Sequence, residues 1–444
     1  MEVTIAKSLL NTSLRESEMA EVVMSSGCQR GIVFENNKLK KVGAAYSESI
    51  GLRVIKAGKV GVAATNDLRK VSQLVGKAVD VSGFGPLAQF EFPGKSKFGD
   101  VKTCSSSLLK FSNKDLVKLG EEMVNEFQEF DSKLLCFIEF NISQGESIIL
   151  NSSGLEIAND STRFGFGVYT DLVRAGDMLV VEEGQASCKA DIDFVFYLDR
   201  LKQKINNART VVKIKSGQYP VVFTPSSLGT ILAYLYTALS GKNVVKGSSR
   251  LQGQLGKEVF DPRLTIIDDG LIDWKTGSTC VDAEGVPVGK LPLIQQGIVS
   301  NYYYDLQSAA QAGVASTGHG SRGLTSALGH PGLHNIQANA GEEAYVSILS
   351  GIEQGILAEE FIGMGQDNPF NGDFSLNLNL GYKIEKGKIV GRVKDTMIAG
   401  NAFELLAKGI RAISKEREWV GGSALYPYVV LEPVSVVSKG DTIN

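Results

Sequence analysis

All three histidines of the 444-residue chain, His319, His330 and His334, lie in residues 316–334, which read STGHGSRGLTSALGHPGLH. Imidazoles so close together suggest a metal site, and the i,i+4 spacing of His330 and His334 would suit one helical turn. A proline and a glycine stand between those two histidines, however, and both residue types weaken a helix. The segment also contains no carboxylate that could complete a ligand set. We therefore favour hydrogen bonds within the loop, then contacts with a peptide or a partner chain, over a metal site.

The peptide alternative makes a specific prediction for His319, His334 and Asn335. A neutral imidazole offers one donor and one acceptor, and an asparagine amide offers both. If the three side chains face a shared channel, they would suit the backbone groups of an extended ligand. We expect them to hold such a peptide rather than to cleave it.

A second set of polar side chains lies upstream, in the glycine-rich sequence GSSRLQGQLGK. Arg250, Gln252 and Gln254 alternate there, and alternate residues of an extended segment share one face. That face would line a groove for a peptide, whereas the simpler reading is a turn with solvated charges. Asp268, Asp269 and Asp273 lie close together around Gly270. Paired carboxylates can do acid/base work or bind a hard cation, but beside a glycine we favour turn residues.

Composition excludes several classes of function. The net charge is −3 and the pI is near 5.9, without the basic surface that nucleic-acid binding requires. No apolar run is long enough to cross a membrane, and the N-terminal residues are too polar for a signal peptide. Five scattered cysteines without a CxxC pair indicate neither a disulfide framework nor a zinc ribbon. We expect a cytoplasmic protein that binds neither nucleic acid nor membrane.

The elements that must position these residues follow from local patterns. Apolar residues at roughly helical spacing predict a helix over 17–26, and turn residues predict hairpins at Asn36–Asn37 and Ala57–Gly58. Residues 112–130 form a capped amphipathic helix in this reading. Turn signals at short intervals over 133–187 predict an antiparallel meander.

These elements predict an α+β protein of two domains. Residues 1–210 form an N-terminal domain resembling an α/β sandwich around an antiparallel sheet, and a charged helix over 192–209 leads out of it. Residues 211–444 form a strand-rich, barrel-like antiparallel domain that contains an apolar helix over 226–241 with a serine cap.

Four segments in order resemble the TldD/PmbA family, whose history includes the label "modulator of DNA gyrase". They are 51–67 (GLRVIKAGKVGVAATND), 279–305 (TCVDAEGVPVGKLPLIQQGIVSNYYYD), 315–335 (beginning ASTGHG and ending LHN) and 359–401 (EEFIGMGQDNPFNGDFSL and onward). No single motif decides the matter, but four in the family's order are specific, and they extend over nearly the whole chain.

The resemblance implies two kinds of chain. TldD-type chains carry HExxxH on a helix, with a downstream cysteine completing a zinc site, whereas PmbA-type (TldE) chains lack these ligands and pair with a TldD-type chain. The corresponding positions here are Ala233, Tyr234 and Ala238. Alanine has no lone pair for a metal, and a tyrosine hydroxyl is a poor general base near neutral pH.

The resemblance therefore implies a non-catalytic PmbA/TldE-like subunit of a two-chain metalloprotease that acts on peptides and small unfolded proteins. It implies a dimer, with a TldD-like subunit or with a second copy, and zinc only in the TldD-type partner. The chain would then belong to a peptidase family without having zinc ligands of its own. Two alternatives stay open: an autonomous hydrolase built on residues such as His319 and His334, and a regulatory protein that acts on DNA gyrase.

Overall fold

The computed structural model describes residues 3–174, 177–363 and 368–439. Residues 364–367, within the fourth segment that resembles the TldD/PmbA family, lie outside the described residues. The chain builds one sheet from its first half and a larger sheet from its second half. This arrangement confirms the α+β class, with an antiparallel N-terminal sheet and a strand-rich C-terminal sheet.

The N-terminal sheet contains six antiparallel strands in the spatial order β3-β2-β1-β4-β5-β6. The strands are β1 (Met19–Glu35), β2 (Lys38–Lys56), β3 (Lys59–Thr65), β4 (Leu135–Asn151), β5 (Glu156–Arg174) and β6 (Asp177–Ser187). The last three form the predicted meander. Four of the strands are 17 to 19 residues long, so the sheet has long hairpins.

Both predicted hairpin turns are confirmed by the backbone. Asn36 and Asn37 have φ values of 52° and 65°, and Ala57 and Gly58 have φ values of 49° and 71°. Two-residue turns with positive φ match the twist of the flanking strands. These turns could be predicted because their geometry depends on the residues within them.

The helix predicted over 17–26 is wrong, because this segment enters strand β1 at Met19. Ala20, Val22 and Met24 are fully buried on one face, which is the period of two that a strand requires. A short apolar run fits either period, and here pairing with β2 and β4 decides the outcome.

Helices cover the N-terminal sheet and lead to the second half. They are α1 (Val3–Ser13), α2 (Leu74–Ser82), α3 (Ser106–Leu109), α4 (Asn113–Phe130) and α5 (Phe194–Ala208). Ser112 caps α4 in a reciprocal capping box with Asp115, as the sequence predicts. Helix α5 is the predicted connector, and Asp193 caps its first turn.

The second half forms a 12-stranded sheet and a two-stranded one. Its strands are β7 (Val211–Val212), β8 (Gly217–Phe223), β9 (Ile266–Asp269), β10 (Lys290–Gln295), β11 (Ile298–Val299), β12 (Gly320–Ser321), β13 (His330–Pro331), β14 (Ile336–Ala338), β15 (Gln354–Ile362), β16 (Asp373–Glu385), β17 (Lys388–Val393), β18 (Thr396–Asn401), β19 (Ile410–Val420) and β20 (Ala424–Ser438). Most neighbours are antiparallel, but β14–β20, β15–β8 and β17–β7 are parallel.

Five helices accompany this sheet: α6 (Pro225–Leu239), α7 (Gly241–Val245), α8 (Leu306–Ala312), α9 (Tyr345–Ser350) and α10 (Ala402–Lys408). Helix α6 is the predicted apolar helix, but Thr224 rather than a serine is its cap, with Pro225 in the first turn. Its buried side chains join the largest apolar cluster of the protein. Among the described helices, none is both long and apolar enough to span a bilayer.

The two sheets are joined by a shared apolar core and by buried ion pairs. Phe140 of β4 and Tyr382 of β16 belong to the same cluster. The ammonium group of Lys204 on α5 lies 2.9 Å from Glu183 of β6 and 3.3 Å from Glu360 of β15. The proposed division into residues 1–210 and 211–444 stays a prediction.

Candidate functional site

Two of the three histidines meet a carboxylate in the interior of the second half. We call Asp268, His319 and His334 the histidine cluster. Asp268 lies on β9 between β10 and β14, while His319 precedes β12 and His334 precedes β14. Asp268 and His319 have exposed fractions of 0% and 1%. Asp268 and His319 therefore lie within the protein, whereas His334 is only partly buried.

Hydrogen bonds within the chain occupy the polar atoms of the cluster. His319 Nε2 donates to Asp268 Oδ2 at 2.9 Å, and its Nδ1 lies 2.8 Å from the Thr317 carbonyl oxygen. His334 Nε2 lies 2.8 Å from the carbonyl oxygen of Gly318. The backbone N–H of His334 donates to both oxygens of Asp268, at 3.1 and 3.0 Å. The cluster thus ties the loop around residue 319 to strand β9.

Burial also determines the protonation of His334. Desolvation lowers the pKa of its imidazole, and the nearby carboxylate of Asp268 opposes that effect only in part. The ring of His334 lies 5.1 Å from the ring of His319, and Tyr303 packs 5.7 Å from His319 on the other side. A neutral His334 in an aromatic surrounding follows.

The types of ligand in the cluster would suit a divalent metal ion. One imidazole nitrogen from each histidine and a carboxylate oxygen lie within 4.8 Å of one another. A metal would, however, have to displace the bond between His319 and Asp268, and three N–H groups already donate or point to chain oxygens. The donor set fits a metal, but the arrangement favours hydrogen bonds, as the proline and glycine between His330 and His334 also indicate.

Asn335 is buried beside the cluster and braces a neighbouring loop. Its amide nitrogen donates to the carbonyl oxygen of Asp269 and to the hydroxyl of Ser278, both at 2.8 Å. Its carbonyl oxygen accepts from the backbone N–H of Gly277 at 3.1 Å. With an exposed fraction of 0%, Asn335 does not face a channel in this structure. The same holds for His319, so binding of a peptide by these two side chains would require the loops to open.

His330 lies apart from the other two histidines. It is exposed on the short strand β13, where it pairs with Ser321. The predicted absence of a helix between His330 and His334 agrees with this strand. The three histidines therefore comprise the buried His319, the partly buried His334 and the exposed His330.

A groove of about 800 Å³ opens on the surface beside helix α10 and strand β20. Polar and charged side chains from four elements line it, and six of them are Gln218, Arg250, Gln254, Glu404, Lys408 and Glu432. The guanidinium of Arg250 lies 5.0 Å from the centre of the Phe403 ring and donates to the carbonyl oxygen of Asn371 at 2.8 Å. Such a mixed lining can bind both the backbone and the charged side chains of a ligand.

Residues 250–254 reach this groove through a turn and not through an extended segment. The turn given above as the simpler reading is confirmed, and the alternative extended segment does not form: residues 250–253 are turn residues, and Gly253 has a φ of 71°. Arg250 and Gln254 line the groove, whereas Gln252 is exposed outside it. Glycine permits the left-handed conformation that a turn needs, which removes the strict alternation of a strand.

Helix α6 carries the three positions at which a zinc motif would stand. Ala233 is exposed, while Tyr234 and Ala238 are buried. The ring of Tyr234 packs 6.4 Å from the ring of Phe374. Two of the three side chains are methyl groups, so these positions do not fit a zinc ion.

Comparison with known protein families shows which family this chain is related to. Residues 216–438 match the family model described as the PmbA/TldA metallopeptidase C-terminal domain, and residues 20–82 match the model of domain 1. The two matches together include more than half of the chain and follow its order. The chain belongs to the PmbA/TldD metallopeptidase family.

Relatives extend this membership over the full length. An uncharacterized protein of Methanocaldococcus jannaschii is 27% identical, with 98% of this chain and 99% of the relative aligned. The metalloprotease TldD homolog of Haemophilus influenzae is 26% identical, over 89% of this chain and 85% of the relative. The crystal structure of TldE from Thermococcus kodakarensis has the same fold, with a TM-score of 0.90, 23% identity, and coverage of 98% of this chain and 100% of TldE.

One residue of the histidine cluster in this PmbA/TldD member was missed from the sequence. Asp268 was predicted to be a turn residue, yet it is a buried acceptor at the centre of the histidine cluster. It is 51 residues distant from His319 in the chain. The alternation of Ile266 and Asp268 on one face of a strand is the signal that could have placed it inside, next to the core.

Proposed function

We propose that this chain is the non-catalytic, TldE-like subunit of a two-chain TldD-type metalloprotease that degrades peptides and small unfolded proteins. The observation that carries the proposal is the chemistry of helix α6. By the resemblance to the family, Ala233 and Ala238 correspond to the zinc-binding histidines of a TldD-type chain, and Tyr234 corresponds to its glutamate. Without these groups the chain can neither hold the catalytic zinc there nor activate a water molecule.

In this proposal the zinc belongs to a TldD-type partner, and this chain has no cofactor of its own. Zinc in the partner would polarise the scissile carbonyl and activate the attacking water. This chain contributes by binding the TldD-type partner. It supports the partner's structure and forms part of the path that the substrate follows. Names of relatives such as the TldD homolog of Haemophilus influenzae support the metalloprotease association.

The groove is the surface of this chain best suited to the substrate. Arg250 and Lys408 offer positive charge, Glu404 and Glu432 offer negative charge, and Gln254 offers an amide. Groups of both signs bind an extended chain without demanding one sequence, which suits a protease of peptides and unfolded proteins. Asp268 and His319 of the histidine cluster are buried and have no such access.

A reconstitution experiment tests the proposal. The chain is expressed alone and together with a TldD-type HExxxH chain from the same genome, and both preparations are assayed for cleavage of a casein-derived peptide. We expect co-purification, and turnover only when both chains are present. A second preparation carries the glutamate of the partner's HExxxH replaced by glutamine, which should retain the complex and lose turnover.

Two results would contradict the proposal. Cleavage by this chain alone, at a rate unaffected by the partner, would indicate an autonomous hydrolase. Failure of the two chains to bind each other, with full activity of the TldD-type chain alone, would leave this chain without a role in the protease.

A further inference from the structure

The edge of the N-terminal sheet is open over a long stretch of strand β2. Along its whole length β2 pairs with β1, but β3 pairs with it only from Ile50 to Lys56. Residues 38–49 therefore have a neighbour on one side only, among the residues that the structure describes. We call these twelve residues the open edge.

The open edge is exposed and partly apolar. Leu39, Val42 and Tyr46 have exposed fractions of 44%, 47% and 69%. Unpaired N–H and C=O groups in a row are a template for another strand, and proteins usually shorten, bend or cover such an edge. Here it stays long and lies beside the core, because Val42 is the cross-strand neighbour of the buried residue Ile32.

The hairpin of β2 and β3 determines which residues of the open edge direct their backbone outward. Lys56 and Lys59 flank the two-residue turn at Ala57 and Gly58, so they form a hydrogen-bonded pair. Even-numbered residues of β2 then bond toward the β3 side. In agreement, the carbonyl of the odd-numbered Ile55 points the other way, accepting from the N–H of Glu18. Along the open edge, residues 42, 44, 46 and 48 thus offer free backbone groups.

We propose that the open edge binds the open edge of a second copy of this chain, antiparallel, about a two-fold axis at Ala44. Val42 of each copy then stands opposite Tyr46 of the other, and Ala44 stands opposite Ala44. Beyond them Lys40 meets Glu48 at both ends, which joins opposite charges twice. The even-numbered residues pair with each other, as the direction of their backbone groups requires.

Other antiparallel registers lack this complementarity. Since the side-chain and hydrogen-bond patterns repeat every two residues, the pair can slide only in steps of two. One step toward Lys38 places Lys40 opposite Tyr46 and Val42 opposite Ala44, so Glu48 meets only Lys38 at the frayed end. A bulge at Lys40, opposite Val33 and Phe34, ends the regular ladder there and leaves the flexible lysine to reach Glu48.

A charge exchange tests the interface in the protein alone. Sedimentation velocity over a concentration series is measured for the wild type, for Glu48→Lys and for the double variant Lys40→Glu/Glu48→Lys. We expect a dimer of the wild type, at least about tenfold weaker dimerisation of Glu48→Lys from two like-charge contacts, and recovery in the double variant. Glu342→Lys, the same charge change at another exposed position, is the matched control and should not alter the dimer.

A cross-link tests the register. In a hydrogen-bonded pair the Cα atoms are about 5.5 Å apart, within the range of a disulfide. Ala44→Cys in a Cys28→Ser background, which removes the exposed thiol on the neighbouring strand, should give a disulfide-linked dimer under mild oxidation. Val346→Cys in the same background, with an exposed fraction of 70%, should stay unlinked.

The outcomes decide the proposal independently of the protease assay. A monomer at tens of micromolar, or a dimer that Glu48→Lys leaves unchanged while Ala44→Cys stays unlinked, overturns it. Pairing of this edge only with a TldD-type chain, and never with a second copy, overturns it as well. Dimerisation that follows the charge exchange, with a cross-link at residue 44, supports it whatever the catalytic role of the chain.

Discussion

The histidine cluster and the groove differ in what their polar atoms can still bind. In the cluster, Asp268 and His319 are buried and bond to each other at 2.9 Å. In the groove, Arg250 and Gln254 border about 800 Å³ of open space. The histidines have the residue type of a catalytic or metal site. Compared with them, the polar groups that line the groove are more accessible to a ligand. A residue suited to chemistry becomes a site only when its atoms remain free to reach a ligand.

Substitutions in the histidine cluster and in the groove should therefore have different effects on stability and on ligand binding. Removing a buried bonded group leaves its partner without water or another partner, and costs more than removing an exposed one. Changes in the cluster should therefore lower stability without a specific effect on the substrate, and changes in the groove should do the reverse.

The largest effect is expected from Asp268→Ala. The change leaves His319 Nε2 and the backbone N–H of His334 buried without their acceptor, and should lower the free energy of unfolding by about 3 kcal/mol. Urea denaturation followed by circular dichroism measures it. Asp268→Asn, which retains an acceptor oxygen, should lose less. An unfolding free energy within about 0.5 kcal/mol of wild type, the usual error of such measurements, would show that the cluster does not brace the fold.

The groove is tested by Arg250→Ala. Arg250 is exposed, so the variant should keep its melting temperature, while capture of peptide by the two-chain enzyme weakens several-fold through loss of a charged contact. Fluorescence anisotropy of a labelled peptide, with the partner's glutamate replaced to prevent cleavage, measures the capture. Arg263→Ala changes an exposed arginine outside the groove and is the control. Equal capture by both variants would remove the groove from the substrate path.

How far the sequence predicted the fold depends on the distance between interacting residues. The turns at Asn36–Asn37 and Ala57–Gly58 and the capping box at Ser112 depend on neighbours in the chain, and they were predicted. The strand at 19–26 depends on pairing with β2 and β4 and was predicted as a helix.

The same limit applies to the candidate site. The residues of helix α6 at 233, 234 and 238 lie on adjacent turns of one helix and can be read from the sequence, and the lack of zinc ligands that the resemblance implies there stays a prediction. The bond of Asp268 to His319 joins residues 51 positions apart, and no local pattern announces it. The burial of Asn335 depends on strand β9 and the loop at 277–278, which it bonds, so its exposure to a channel could not be judged from the sequence.

A smaller loss of stability is expected when the pH is lowered, because of His334. Burial lowers the pKa of His334 in the folded protein below the ordinary value of 6.5, so between the two values the unfolded chain binds more protons. The contribution of His334 to stability is present above pH 6.5 and is lost as the pH falls through that window, by at most about 1.4 kcal/mol per pH unit. Unfolding free energies of wild type and His334→Gln between pH 5 and pH 7.5 measure it. Parallel curves would mean that His334 titrates alike in both states.

The smallest effect belongs to His330→Ala, which shares the residue type and the loop of the cluster but not its burial. His330 is exposed on β13, where backbone pairing with Ser321 does not depend on the side chain. Exposed positions of this kind change the free energy of unfolding by about 0.5 kcal/mol or less. We therefore expect an unchanged melting temperature and unchanged peptide capture, measured beside Asp268→Ala and Arg250→Ala. A loss of turnover at normal stability and normal capture would instead reveal a catalytic role for the most exposed of the three histidines, and would break the division between a bracing cluster and a binding groove.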